Sequence, residues 1–139
     1  MNVRGFGALA RMHRFRMDEH RRKAMEIELA REDFLRQDTA LEQELIRETS
    51  TFRRDDMAII DFAAYSKGIE VRREALAKSI AEVTRTLSRI NEQMANEYRE
   101  AKKFELAMER EAKRKKDLAA RAEQMELDEI GLNYHGRAV

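Results

Sequence analysis

The chain has no cysteine, no proline and no tryptophan, and only 5 glycines in 139 residues. Without cysteine, disulfide frameworks and thiolate metal sites are excluded. Average usage of about 5% proline would place roughly seven in a chain this long. Strands and hairpins need turn residues, so a sheet protein with many turns is excluded as well. Aromatic residues reach only 6%. No apolar window is long enough to cross a membrane. Residues 1–16 carry an arginine every few positions and no apolar run, which does not read as a secretory signal.

What the chain does contain is charge and small-to-medium apolar side chains. Charged residues make up 40%, hydrophobic residues 42%, and the net charge is only +1. This balance suits long helices with a narrow apolar stripe and not a bulky spherical core. The length fits a single domain over 1–139.

The apolar period sets the expected architecture. Alternate steps of four and three from Ile69 reach Arg73, Leu76, Ile80, Val83, Leu87, Ile90, Met94, Glu97, Ala101, Phe104, Met108, Glu111, Lys115, Leu118, Ala122, Met125 and Glu129. Most of these are apolar, and the mean spacing of about 3.5 is a heptad repeat. Phe62 and Ile59 continue it backwards, with Ser66 between. A weaker stripe runs through Ala10, His13, Met17, His20, Ala24, Ile27, Arg31, Phe34, Asp38, Leu41, Leu45 and Glu48. The pattern predicts an all-α fold, a long antiparallel two-helix coiled coil. Arm one covers about 8–48, a turn 49–54, arm two about 55–130, and a short tail 131–139. The arms would be roughly 60 Å and 110 Å long. Thr49, Ser50 and Thr51 favour caps and turns over helix interiors, which places the reversal there. Asp55 and Asp56 suit the start of the second helix. Gly68, beside Ser66, offers a second break that would leave 55–65 as a separate short helix. Arm one should run out against residues 95–107, leaving Met108, Leu118, Ala122 and Met125 as surplus seam. Such a stripe needs another partner or stays marginal. Self-association through it should be weak, because Glu111 and Lys115 dilute its core positions.

Charge is segregated. Residues 1–23 carry seven Lys or Arg and two acids, and 102–116 carry seven Lys or Arg and three acids. Residues 26–48 carry eight acids, and Glu123, Glu126, Asp128 and Glu129 follow the second basic block. The antiparallel pairing gathers the basic blocks at the open end. Such a surface suits an acidic partner. Nucleic acid is the weaker candidate, since no aromatics interleave the bases and the pI is only about 8.0.

Chemistry is sparse. The histidines are His13, His20 and His135; the first two are seven apart, not at the i, i+4 spacing usual for metal ligands. There is no phosphate-binding glycine loop and no nucleophile elbow. Carboxylate pairs such as Glu42 and Glu44 lie on a rod that has no pocket to shift their pKa values. No catalytic residue, cofactor or metal ligand is assigned. The candidate site residues are protein-binding ones: Arg14, Phe15, Arg21, Arg22, Tyr65, Met108, Lys113, Arg114, Lys116, Leu118 and Met125.

Three stretches carry a resemblance. They are Arg11 to Lys23 (RMHRFRMDEHRRK), Ala64 to Leu76 (AYSKGIEVRREAL) and Leu127 to Leu132 (LDEIGL). In this order and spacing the chain resembles, over about 9–132, the FliJ family of flagellar export proteins in its alphaproteobacterial form. The last stretch is the most specific, because Ile-Gly-Leu is not a product of heptad patterning. The resemblance implies a two-helix coiled coil similar to a rotary-ATPase stalk subunit. It implies a protein that is not an enzyme and that inserts into the hexameric flagellar export ATPase. It further implies a link to the membrane export gate protein FlhA, handling of export chaperones, and a cytoplasmic place at the inner face of the membrane at the flagellar base. The residues also leave open a virulence type III secretion stalk, a basic helical nucleic-acid-binding protein and a small helical enzyme.

Overall fold

The computed structural model describes residues 2–52 and 56–138. The chain is all-α, with helix α1 over Val3–Ser50 and helix α2 over Asp56–Ala138, and no strand among the described residues. Within each part of the chain the two helices pair with each other, Arg14 with Glu105 and Asp38 with Arg73. They contribute to two compact units, a terminal unit of Met1–Met17 with Ala95–Val139 and a turn unit of Asp18–Met94.

In the turn unit the pairing order is antiparallel: Asp38 meets Arg73, and Phe52 meets Phe62 with ring centroids 4.8 Å apart. Its core is thin. Ile69, Leu87 and Ile90 are buried, at 3%, 8% and 7% exposure. The other predicted seam positions from Met17 to Leu45 and from Phe62 to Met94 are partly buried. Only Glu48 and Ile59, at the turn end, are exposed. Two charged seam positions, Asp38 and Arg73, pair with each other, whereas Arg31 keeps a buried Nε without a hydrogen-bond partner. Arg73 donates from Nε and Nη2 to the two carboxylate oxygens of Asp38, at 3.0 and 3.3 Å. That contact holds the Asp38 carboxyl below its usual range. A complementary pair at facing seam positions also favours one register over its neighbours.

In the terminal unit Phe6 stacks on Phe104, at 6.4 Å between centroids, and Ala10 and Ala101 are buried. His13 Nδ1 lies 2.5 Å from Glu97 Oε2, joining two more polar seam positions. Gly7 is buried against the second helix: a Cβ added there would lie 3.3 Å from Met108 Sδ. The missing side chain is what lets the helices approach at that point.

Several boundaries differ from expectation. Helix α1 begins at Val3 and not near 8, because Asn2 caps it: its Oδ1 accepts from the Gly5 amide at 2.9 Å. Thr49 and Ser50 lie inside α1 and do not start the turn. Their hydroxyls donate back to the carbonyls of Leu45 and Arg47 at 2.7 Å, and Thr51 Oγ1 does the same to Glu48 at 3.2 Å. The hydroxyl run thus satisfies last-turn carbonyls instead of breaking the helix. Thr51 and Phe52 lie in the turn, as expected; the remaining turn residues 53–54 and Asp55, expected as the N-cap, lie outside the described residues. Helix α2 continues through Ser66 and Gly68, so 55–65 is not a separate helix. A glycine in a helix interior costs only about 1 kcal/mol relative to alanine, and buried Ile69 beside it holds the turn in place. Residues 131–138, expected as a tail, also belong to α2. Finally, because α1 starts five residues early, pairing reaches Glu111 and not 95–107. Met108 is a paired, partly buried seam residue and not surplus.

Candidate protein-interaction surfaces

The terminal unit holds most of the candidate residues. Past Glu111, every residue from Ala112 to Arg137 is exposed. Leu118 and Met125, expected as surplus seam, are 50% and 71% exposed. With Ala122 and Leu132, which is 73% exposed, they form one face of the helix. The sequence reading missed a second face. Leu127, Ile130 and Tyr134 are 54%, 58% and 74% exposed. At 100° per residue they lie roughly opposite the first stripe. The signal was present as a three–four spacing out of phase with the seam.

The basic candidates of this unit divide into two kinds. Arg14 is committed within the unit: its Nε and Nη2 donate to Glu105 at 2.9 and 3.0 Å, and its guanidinium carbon sits 5.4 Å from the Tyr98 ring centroid. The Glu105 carboxyl is held below its usual range by this contact first and by Lys102 after it. Arg114 donates from Nη2 and Nε to Glu111 at 2.6 and 3.2 Å, which lowers the Glu111 pKa and raises that of Arg114. Lys113 and Lys116 are exposed beside it, and Phe15 is 59% exposed on α1. A solvent-facing phenyl ring next to basic residues fits a docking role better than the paired Arg14 does.

In the turn unit, Arg21 pairs with Asp18 at 3.3 Å one turn away, and Arg22 is exposed. Tyr65 is partly buried. Desolvation of its hydroxyl, followed by the facing Glu44 carboxylate, raises its pKa. With Phe62 packed on Phe52, both aromatics of the turn end serve packing. The sequence reading missed a second turn-unit feature. Met57, Ile60 and Val71 are 74%, 66% and 54% exposed, on a face of α2 turned away from the seam.

Among the described residues there is no cluster of three or more potential metal ligands, and no helix is long and apolar enough to cross a membrane. The recesses along the helices are shallow grooves, such as the one lined by Asp38, Leu45, Ile69 and Arg73. No family model, no curated protein and no solved structure matches the chain.

Proposed function

We propose that the chain is a non-enzymatic stalk or coupling component of the flagellar type III protein export apparatus. In this role it inserts into the hexameric export ATPase, links that ring to the membrane export gate protein FlhA, and meets export chaperones at the cytoplasmic face of the flagellar base. The observation that carries the reading is the free end of α2. Residues 112–137 are helical, exposed throughout, and apolar on two opposite faces. One complementary helix covers one face only, whereas a lumen lined by several subunits meets both. The resemblance of residues 11–23, 64–76 and 127–132 to the flagellar export family supplies the identity of that ring. Exposed Lys113 and Lys116 at the root of the free segment fit an acidic collar, where such charges act mainly on encounter.

Truncation after Glu111 tests this directly. It keeps the Phe6–Phe104, His13–Glu97 and Arg14–Glu105 contacts and removes the free helix. The truncated protein should melt as the full chain does, yet fail to co-purify with the ATPase hexamer or promote its assembly. Full stimulation by the truncated protein would overturn the role of this segment.

A further inference from the structure

The first five turns of α2 carry an apolar face that no other described residue covers. Met57, Ile60, Ala64, Gly68, Val71 and Ala75 follow one another by steps of three or four. At 100° per residue they stay within roughly 80° of arc, well away from the seam through Phe62, Ile69 and Leu76. All six are exposed. The large ones are strongly so, with Met57 at 74%, Ile60 at 66% and Val71 at 54%. The stripe is roughly 27 Å long and stops where Lys78 and Glu82 take its next positions. At its middle a Cβ added to Gly68 would meet nothing within 4 Å, so the helix presents bare backbone there. A surface stripe of this kind, apolar and flat at its centre, marks an interaction site.

We infer that this face pairs with the same face of a second copy of the chain, antiparallel about a two-fold axis near residue 66. The charges flanking the stripe select that occupant. Asp61 and Arg72 lie on one flank, Asp56 and Lys78 on the other, all four exposed. None of the four is in an ion pair within the chain among the described residues. In the antiparallel register Asp61 faces the partner's Arg72 and Arg72 faces the partner's Asp61. Asp56 and Lys78 repeat this on the other flank. The same register sets Ala64 against the partner's Gly68, Ile60 against the partner's Val71 and Met57 against the partner's Ala75. Small residues therefore meet at the crossing point and larger ones toward the ends, an isologous contact in which each residue is used twice. The two Lys67 side chains approach near the axis, each already 3.6 Å from its own Glu70. The contact is short, which makes it a weak, reversible dimer. It uses no residue of the free end of α2 and is independent of the function proposed above.

Sedimentation equilibrium of the intact chain, from low to high micromolar concentration, tests the inference. The wild type should move from monomer to dimer, less readily at high salt because the flanking pairs are screened. Gly68→Ile should leave the helical circular dichroism intact, since its side chain enters open space, and weaken the dimer at least about tenfold. Asp61→Arg alone and Arg72→Asp alone should each remain monomeric. An equimolar mixture of the two should form a dimer, because both cross-copy pairs are restored in the heterodimer only. A wild type that is monomeric throughout overturns the inference. So does a dimer indifferent to Gly68→Ile, or a mixture that behaves as the sum of its two components.

Discussion

Residues 76–94 and 112–137 belong to one helix and carry one periodicity, yet they end in opposite states. In the first stretch Leu87 and Ile90 are buried, at 8% and 7% exposure. In the second, Leu118 and Met125 occupy the same heptad phase and are 50% and 71% exposed. The difference does not lie in the stripe but in what faces it. Helix α1 starts at Val3, and near that end Gly7 packs against Met108. A heptad seam is thus half of a contact, and its pattern says nothing about whether the other half exists. The free segment also differs from the paired one in being apolar on two sides, which a hairpin partner would not require.

The sharpest way to break this comparison is to place a charge in each stretch. Leu87→Asp buries an unpaired carboxylate in the seam and should cost roughly 4 kcal/mol, enough to unfold a thin two-helix core. Met125→Asp adds a charge to an exposed face and should change stability by no more than about 0.5 kcal/mol. Thermal melts followed by circular dichroism decide; similar melting temperatures for both variants would mean that the paired stretch is not the stabilising one.

Hydrogen exchange sharpens the contrast without mutation. Amides of 112–130 lack the packing that makes long helices stable in water. They should exchange faster than those of 76–94 by about two orders of magnitude or more. Equal protection would show that the free segment is held by contacts of its own.

Glycine substitutions give a smaller and more local effect. Gly68 and Gly131 both sit in α2 with nothing near a new Cβ. Gly68→Ala should stabilise the fold by about 0.5–1 kcal/mol and raise the melting temperature by a few degrees. Gly131→Ala should slow exchange nearby and leave the melting temperature unchanged, because its helix end is not part of the cooperative core.

The smallest expected effect is on pH dependence. Asp38 and Glu105 have pKa values lowered by Arg73 and Arg14. A carboxyl with a depressed folded-state pKa contributes stability that is whole above its unfolded pKa and is lost as pH falls through the folded value. Stability should therefore decline on acidification below about pH 4. Asp38→Asn should flatten that decline slightly, since the pair is about a third exposed and screened by solvent. An unchanged acid limb would remove the Asp38–Arg73 contact from the account of the turn unit.

The sequence by itself determined the fold class and the phase of the seam. An unbroken three–four repeat leaves a proline-free chain no other way to bury its apolar side chains, so Ala10 to Leu45 and Phe62 to Phe104 were legible as facing stripes, while the pairing of Met108 was not. The candidate basic residues were legible as positions and not as roles: helix spacing alone puts Arg114 one turn from Glu111, while only the folded chain joined Arg14 to Glu105. Three further things came only from the structure. It showed the hydroxyls of Thr49, Ser50 and Thr51 donating to carbonyls three or four residues back, a local arrangement that composition alone does not separate from a turn. It carried α2 through Gly68, because the seam on either side outweighs one weak helix former. It also set where pairing stops, because that point depends on how far each helix extends from the turn. Local propensity acts within a few residues, but register and overlap are fixed by contacts between residues 35 to 91 positions apart.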